Sequence, residues 1–345
     1  MELGAAARAE LIRQLARHGL TGWAHVVWRD ARIELPGDLG GTLRSVHSQN
    51  TARSILALQH YERVSGILSG GGIEHIPLKG IRLLETLYPD PGTRHLSDID
   101  VLVRRADVRR ADEALRAAGW RGEDASMWER QERFHHHHGY EPPSGVSARL
   151  ELHWRVASGF GGPGSADELW EGAERASGPT WEHRPSPRSE LAMLLLHIAS
   201  HGYNASPKWL LDVRLLLESQ ELESSPGPRR PGGGELLPAL PSSPLYFALQ
   251  LVARVCGSRR AGALAGVVRP WRHRALVLEA LAAPERFLSP GSLLRRKWPQ
   301  YAFFVLLNDG AADRARLVYR AVAYKLGVEG VRVPRFWDRL VGGGS

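Results

Sequence analysis

The stretch HLSDIDVLVRR, residues 95–105, constrains the fold more than any other part of the sequence. Its Ile, Val and Leu residues predict a central strand, yet Asp98 and Asp100 stand one residue apart within it. Alternate side chains of a strand share a face, so we expect both carboxylates on one face and Ile99 and Val101 on the other. Neighbouring anions repel unless a cation lies between them, and carboxylate oxygens suit Mg²⁺. The stretch therefore predicts a metal site, with ordinary exposed acids on an edge strand as the alternative.

The basic charge of the chain is dispersed and does not form a patch. The 345 residues carry a formal net charge of +8, and four of the 45 Lys and Arg residues are lysine. Clustered Lys and Arg indicate a nucleic-acid partner, whereas a scattered arginine excess is typical of genome composition. The charge therefore argues against nucleic acid as the partner. The 43% of hydrophobic and 24% of charged residues are ordinary for a soluble globular protein.

The sequence contains no pattern that predicts a membrane span or an export signal. The longest apolar runs, such as LAMLLLHIA from Leu191, are interrupted well before the length of a spanning helix. The first residues predict an amphipathic helix, and the single cysteine, Cys256, excludes an internal disulfide. We therefore expect a cytoplasmic protein with no membrane partner and with enough residues for two domains.

Hydrophobic periodicity divides the chain into three predicted regions. Residues 1–70 predict helices, residues 71–160 combine strands with helices, and residues 161–341 are largely helical. A Pro/Gly-rich segment at 224–244 predicts a mobile loop within the last region, and the terminal GGGS is a frayed end or an added tail. The helical segments after residue 160 are SELAMLLLHIASHGY, PKWLLDVRLLLES, PLYFALQLVARVCG, HRALVLEALAA and DRARLVYRAVAYKLG.

Turn and capping residues set the expected bounds of the first elements. A helix closes at Gly19, a long helix ends in the glycine cluster before Ile73, and IEHIPL predicts a short strand followed by the helix IRLLETLY. After the acid strand, Asp107 is an expected N-cap of the next helix and Gly119 its stop.

Two further strands are predicted, ERFHHHHGYE and SARLELHWRV. The second alternates cleanly, with Leu150, Leu152 and Trp154 on one face and Glu151 and His153 on the other. Glu151 is thus a third acid on a half-buried strand. An exposed strand glutamate is the alternative.

Three blocks follow one another over residues 73–218: IPLKGIRLLETLYPDPGTRHLSDIDVLV, LELHW and LLLHIASHGYNASPKWLLDVRLLL. In this order they resemble the uncharacterised nucleotidyltransferase family, a branch of the DNA-polymerase-beta-like nucleotidyltransferase superfamily. The resemblance implies an α+β fold, with a mixed sheet packed by helices, an N-terminal helical segment, a catalytic core at 71–160 and a C-terminal helical domain. It also implies that Asp98 and Asp100 are catalytic metal ligands for Mg²⁺ or Mn²⁺ bound with an NTP, and that Glu151 on a neighbouring strand is the third.

The same resemblance implies nucleotide contacts at the strand-to-helix turn and before the acid strand. The wider superfamily usually has a Gly-Ser pair at this turn, whereas here a lysine precedes the glycine, as Lys79 and Gly80. Gly80 lets the backbone approach a phosphate, and Lys79 supplies a positive charge or merely ends a strand. Arg94 clamps phosphate oxygens or lies on the surface. Ser97 completes the expected nucleotide-binding set.

His197 and His201 lie four residues apart and so share one helix face, a spacing that also binds zinc. The glutamate of a zinc-protease helix is missing, which argues against a metalloprotease. The resemblance suggests an acceptor pocket, together with His153, or packing between domains, while a core histidine is the alternative for each. Asp212 is expected to pair with one of the two helical histidines. The run at 135–138 predicts a strand with alternating exposure that binds stray metal without function.

These observations predict a metal-dependent nucleotidyltransferase that moves a nucleoside monophosphate from an NTP to a hydroxyl or phosphate of a small-molecule or peptide acceptor. Tailoring of natural products, including lasso peptides, is the suggested setting. Two alternatives remain. One is transfer of another phosphate-linked group, such as a sugar phosphate. The other is a non-catalytic nucleotide-binding regulator or antitoxin-like protein, against which the complete set of three acids argues.

Overall fold

The computed structural model describes residues 4–123, 136–143, 148–156, 164–220, 222, 242–288, 297–309 and 314. The chain divides into two compact units. The first comprises residues 1–194 and 206–238, and the second comprises residues 195–205 and 239–345. The three regions predicted at 1–70, 71–160 and 161–341 remain a prediction.

A mixed five-stranded sheet forms the centre of the first unit. Its strands are β1 (His75–Leu78), β2 (Asp98–Val103), β3 (Arg121–Gly122), β4 (His137–Glu141) and β5 (Arg149–His153), in the spatial order β1-β2-β5-β4-β3. Strand β2 is antiparallel to β1 and parallel to β5, while β4 is antiparallel to both β5 and β3. The acid strand is therefore internal, as its apolar residues predict, and the α+β class with a mixed sheet is confirmed. A short ribbon of β6 (Glu174–Arg175) and β7 (His183–Arg184) completes the described strands.

Thirteen α-helices lie within the described residues. In chain order they are α1 (Ala5–Arg17), α2 (Thr21–Asp30), α3 (Gly37–Gly70), α4 (Lys79–Thr86), α5 (Val108–Ala117), α6 (Gly164–Glu171), α7 (Pro187–His201), α8 (Pro207–Glu218), α9 (Ser242–Val255), α10 (Arg259–Val267), α11 (Arg272–Leu281), α12 (Pro284–Leu288) and α13 (Lys297–Leu307). None of the helices in the described ranges is both long enough and apolar enough to cross a membrane.

Apolar side chains on the face of the sheet opposite the acids explain why its central strands are stable. Ile99, Val101, Leu150 and Leu152 are fully buried, and Tyr140 of β4 is buried beside them in the core of the first unit. Burying such side chains stabilises the fold by about 1.5–3 kcal/mol each relative to exposure. The core thus holds β2 and β5 rigidly in register, which fixes the positions of the acids that they carry.

The predicted ends of two helices are largely correct. Gly19 and Gly119 take positive φ angles of 68° and 87° just beyond α1 and α5, a conformation that glycine adopts without strain. Asp107 does precede α5, but its side chain makes no capping hydrogen bond. It pairs with Arg110 instead, so the expected N-cap is wrong in its hydrogen bond although right in its place.

Several predictions for the C-terminal half fall on undescribed residues. Most of the Pro/Gly-rich segment at 224–244, the segment DRARLVYRAVAYKLG apart from Arg314, and the terminal GGGS lie outside the described ranges. The last residues of the predicted loop, Ser242 to Pro244, instead begin α9. Proline is tolerated in the first turn of a helix because the N–H that it lacks has no partner there.

Candidate active site

The pairing of β2 with β5 brings the three predicted acids together. The two strands run parallel with Asp100 opposite Glu151, and Asp98 lies two residues before Asp100 on the same face. Asp100 is only 2% exposed, while Asp98 and Glu151 are half-buried. The sheet therefore concentrates three carboxylates at one place, as the sequence predicts.

Lys79 and His153 both contact the same carboxylate oxygen of Asp100. Lys79 Nζ donates a hydrogen bond to Asp100 Oδ1 at 2.7 Å, and His153 Nε2 lies 2.8 Å from that atom. Burial by itself would raise the pKa of Asp100, but Lys79 and His153 hold this pKa well below the usual range. Asp100 is therefore ionised, and the described hydrogen bonds fall on Oδ1 and leave Oδ2 for another ligand.

Glu151 has weaker contacts and faces the same histidine. His153 Nε2 lies 3.4 Å from Glu151 Oε2, and His137 Nδ1 lies 3.7 Å from that oxygen. Burial raises the pKa of Glu151, but the hydrogen bond with His153 and the charges of His137 and His153 together outweigh burial, and the pKa is lowered. Burial and the repulsion from Lys79 lower the pKa of His153, but its hydrogen bonds to Asp100 and Glu151 and the charge of Asp100 together outweigh them, and this pKa is raised.

Asp98 differs from both other acids because the positive charges near it, on Lys79 and Lys208, only partly offset its burial. Its carboxylate takes no hydrogen bond and joins no ion pair within the described ranges. Burial, and then the charge of Asp100, raise the pKa of Asp98, so its ionised form is disfavoured in the protein as it stands. A bound cation would remove this penalty.

The turn between β1 and α4 directs Lys79 toward the acids. Leu78 pairs with Asp100 across the sheet, and Lys79 follows it with a φ of 48°, in the left-handed region that a lysine rarely adopts. Its ammonium is largely buried, and burial lowers its pKa. The charge and hydrogen bond of Asp100, together with the charges of Asp98 and Glu151, outweigh burial, and the pKa is raised. Strained backbone of this kind concentrates at functional sites, where surrounding structure maintains it.

Gly80 has a packing reason that the sequence did not indicate. A Cβ added to this residue would overlap Leu96 and would lie 2.8 Å from Arg94 Nη1. The space that a side chain would need is thus already filled by the segment leading into β2. Approach of a phosphate is not needed to explain this glycine, and its predicted nucleotide contact remains a prediction.

Arg94 is buried, which excludes the alternative of a surface arginine. Its Nε and Nη2 donate to the two oxygens of Asp212 at 2.9 and 2.8 Å, and Tyr88 donates to the same carboxylate at 2.7 Å. The expectation that Asp212 pairs with a histidine is therefore wrong, because Arg94 and Tyr88 take its oxygens. The fork of the guanidinium matches a carboxylate with two parallel hydrogen bonds, which a histidine cannot provide.

The remaining predicted site residues are more scattered. Ser97 is exposed immediately before β2, while His197 and His201 lie at the end of α7 within the second unit. His201 Nδ1 lies 2.9 Å from the backbone oxygen of His197. His153, which is predicted to line an acceptor pocket with these two histidines, contacts Asp100 and Glu151. Of the run at 135–138, His135 lies outside the described residues, and His138 is fully buried while His137 faces Glu151.

Lys208 is a residue near the acids that the sequence patterns did not indicate. Lys208, in the first turn of α8, donates from Nζ to the backbone oxygen of His95 at 3.2 Å, and Asp98 and Asp100 act on its charge. The available signal was the scarcity of lysine, which drew attention to Lys79 but applies equally here. Lys208 lies more than a hundred residues from the acid strand in sequence, so no local pattern predicts that the two are close in the fold.

The donor atoms suit a divalent cation. Ligand atoms of Asp100, Glu151 and His153 lie within 4.8 Å of one another, as do those of His136, His137 and His153. The carboxylate oxygens favour hard ions such as Mg²⁺ and Mn²⁺, and the adjoining imidazoles extend the set toward softer divalent metals. The uncompensated Asp98 beside this set shows that the residues fit a bound cation.

Comparison with known families gives an independent result. Residues 5–225 match the model of a family described as uncharacterised nucleotidyltransferase, a span well over half of the chain that includes every acid of the site. A search of curated proteins returned no match. A search of solved structures also returned none.

Proposed function

Because the chain belongs to the uncharacterised nucleotidyltransferase family, we propose that it transfers a nucleoside monophosphate from an NTP to a hydroxyl or phosphate of a small-molecule or peptide acceptor. Transfer of nucleotidyl groups is the activity of the family. The acceptor class, the metal and the role of each residue are parts of the proposal. A peptide natural product, such as a lasso peptide, is the setting that we favour.

A single observation carries the proposed site: Asp98 is a half-buried carboxylate with no neutralising partner among the described residues, directly beside buried Asp100 and near Glu151. Burying an unpaired charge is expensive, so such an acid is retained where a ligand compensates it. A purely structural site would pair this acid, as Lys79 pairs Asp100.

We assign Asp98, Asp100 and Glu151 to the binding of Mg²⁺ or Mn²⁺. A divalent ion held by these carboxylates would offset the negative charge of the phosphates and of the oxygens that react. The acceptor oxygen attacks the α-phosphorus, the bond from that phosphorus to the oxygen of the β-phosphate breaks, and pyrophosphate leaves. Glu151, the more exposed acid opposite Asp100, accepts the proton of the acceptor hydroxyl and passes it to water.

The neighbouring cations orient these acids and the donor. His153 contacts Asp100 and Glu151 and fixes the orientation of both carboxylates. Lys79 uses one N–H bond for Asp100, and an ammonium has three, so the remaining donors are available to a phosphate oxygen. Dispersed arginine gives no support to a nucleic-acid acceptor.

The first test measures ligand-dependent stability. We expect Mg²⁺ with an NTP to raise the melting temperature of the parent, since a ligand that binds only the folded state stabilises it. Asp98→Asn and Asp100→Asn should each abolish the shift. Asp30→Asn, which changes an acid with a 62% exposed side chain, should keep it and serves as the control. An undiminished shift in both site variants would overturn the metal assignment.

The second test separates an enzyme from a nucleotide-binding regulator. Glu151→Gln keeps the size of the side chain but removes the proton acceptor, so turnover should fall about 100-fold or more while NTP affinity stays near that of the parent. Pyrophosphate release with a panel of hydroxyl and peptide acceptors measures the first quantity, and calorimetric titration the second. Tight NTP binding by the parent without pyrophosphate release would favour the regulatory alternative. Release of a nucleoside monophosphate from nucleotide-sugar donors, without pyrophosphate, would favour transfer of a sugar phosphate.

A further inference from the structure

Lys208 places an ammonium group beside the acid strand from a distant part of the chain. It lies in the first turn of α8. Its side chain packs beside Gly19 and His95, and the ring of His95 in turn contacts Asn50. An added Cβ at Gly19 would come 3.1 Å from Lys208 Cδ, so the stem of the side chain is closely packed. Its Nζ reaches the backbone oxygen of His95, three residues before Asp98.

The ammonium of Lys208 lacks a carboxylate partner. Among the described residues its hydrogen bond is to one carbonyl oxygen, and no acid lies within ion-pair distance of it. Burial, and then the charge of Arg94, lower the pKa of Lys208. Lys79 shows the contrary case, because a carboxylate at 2.7 Å outweighs burial and raises its pKa. The two lysines therefore differ in whether the protein itself neutralises them.

The charges around Lys208 make an anionic ligand the natural complement. The charges of Asp98, Asp212 and Asp100 favour its charged form, but none of these acids is a direct partner of Lys208 in the described structure, and Asp212 already pairs with Arg94. A single hydrogen bond to a carbonyl does not require a cation, since a neutral amide could donate it. Retaining a packed ammonium at this place is therefore poorly explained by the contact with His95 alone.

We infer that Lys208 binds the phosphate chain of the donor nucleotide, next to the cation site at Asp98. This inference rests on the proposed function and adds to it a phosphate subsite contributed by α8. The ammonium donates to phosphate oxygens, which are strong charge-assisted acceptors, while the acids hold the cation that shares the same phosphates. The base and the acceptor lie outside this subsite.

The test uses the full-length chain and magnesium tripolyphosphate, a probe that carries the phosphate chain without a base. Lys208→Met keeps the length of the stem and removes the charge, so we expect the dissociation constant for the probe to rise about tenfold or more. Lys208→Arg keeps a cation and should stay within about threefold of the parent. Arg214→Met, on the exposed side of the same helix, is the matched control and should leave the affinity unchanged.

Three further readouts separate phosphate binding from a structural role. Binding of Mn²⁺ alone, followed by electron paramagnetic resonance, should be the same in Lys208→Met and the parent. The melting temperature of the unliganded variant should equal or exceed that of the parent, because a packed, uncompensated ammonium is removed. Lys208→Gln keeps a donor for His95 and should show the same loss of tripolyphosphate affinity, which supports the inference if Lys208→Met fails to fold.

The outcomes distinguish this inference from the function on which it rests. If the parent binds Mg²⁺-NTP and both Lys208→Met and Lys208→Gln bind tripolyphosphate as tightly as the parent, the inference is wrong and the proposed function stands. If the variants melt several degrees lower with unchanged affinity, Lys208 only anchors His95. If the parent binds neither metal, NTP nor tripolyphosphate, both proposals fail.

Discussion

Two clusters of charged side chains in the first unit differ in how far their buried charges are paired. The closed cluster consists of Arg94, Asp212 and Tyr88, and the acid cluster consists of Asp98, Asp100 and Glu151 with Lys79 and His153 around them. In the closed cluster every described oxygen of the carboxylate accepts a hydrogen bond, and the charges cancel. In the acid cluster Lys79 and His153 contact Asp100, and His153 and His137 face Glu151, whereas Asp98 has neither a hydrogen bond nor an ion pair among the described residues.

The difference separates structural charge from functional charge. Asp212 is 0% exposed and Arg94 is 5% exposed, so solvent has little access to their pair and no ligand is needed to complete it. The pair holds the segment before β2 against α8, and thereby sets where the acid strand begins. Asp98 is accessible and uncompensated, which is the condition for binding a cation. The closed cluster thus positions the strand that carries the acids, while the predicted contact of Arg94 with phosphate stays a prediction.

Breaking the closed cluster should give the largest effect on stability. Arg94→Met leaves the buried Asp212 without its cation, so we expect the free energy of unfolding to fall by about 3–5 kcal/mol, measured by urea denaturation. The double variant Arg94→Met with Asp212→Leu removes both charges and should recover most of the loss. Arg214→Met breaks an exposed pair with Glu218 and should change stability by less than about 0.5 kcal/mol. A similar loss in the two single variants would contradict the comparison.

Gly80 connects the two clusters, since it follows Lys79 and packs against Arg94. Gly80→Ala forces Leu96 and the guanidinium to move, so the free energy of unfolding should fall by about 1–3 kcal/mol. Gly66→Ala is the control, because Gly66 lies in the C-terminal part of α3 and a Cβ there meets no atom within 4 Å, so the change should stabilise the protein by up to about 1 kcal/mol. Thermal melting of both variants without ligand is the measurement. An unchanged Gly80→Ala would mean that the glycine serves only a bound phosphate.

The sequence predicted the acid cluster because its signal is local. Apolar residues around Asp98 and Asp100 place them on an internal strand, and alternation places Glu151 on the solvent-facing side of another. The parallel pairing that sets Asp100 opposite Glu151 is a long-range relation, and the order of the resembling blocks supplied it. The alternation of apolar and polar residues and the family resemblance were together sufficient to predict that these two strands carry the three acids.

The closed cluster could not be predicted in the same way. Arg94 and Asp212 are separated by more than a hundred residues, and neither residue type reveals its partner. An acid in an apolar helix indicates a buried partner, but arginine, histidine and tyrosine all satisfy that requirement. The wrong choice of a histidine for Asp212 followed from proximity in sequence. Lys208 was missed for the same reason, because its environment arises only when α8 packs beside the segment that precedes β2.

The excess charge of the acid cluster can be tested in the metal-free protein. Burial and the neighbouring Asp100 raise the pKa of Asp98, so its ionised form destabilises the fold at neutral pH. Asp98→Asn should therefore raise the free energy of unfolding by on the order of 1 kcal/mol in the presence of a chelator. Asp100→Asn should lower it, because Lys79 loses its partner. Equal signs for the two variants would show that the acids are compensated alike.

A third way to bury a polar group is to keep it neutral, and His75 offers the smallest and most specific test. This histidine is fully buried, with its ring nitrogens close to Ser65 Oγ and to the backbone oxygen of Ile73. Burial lowers its pKa below the value of about 6.5 that an unfolded chain gives. The unfolded state therefore binds a proton first as the pH falls, and the folded state loses stability below about pH 6.5.

His75 contributes at most ~1 kcal/mol between pH 6.5 and 5.5, since one proton changes stability by at most about 1.4 kcal/mol per pH unit. His75→Gln cannot take up this proton, so its stability should fall less steeply over that interval, although it starts from a lower value. Other buried histidines with lowered pKa, such as His60 and His138, titrate in both proteins and cancel in the difference. Urea denaturation at pH 7.5, 6.5 and 5.5 gives the slopes. If the free energy of unfolding falls with pH equally in both proteins, His75 takes up a proton in the folded state as readily as in the unfolded state. Its burial would then not depend on a neutral ring.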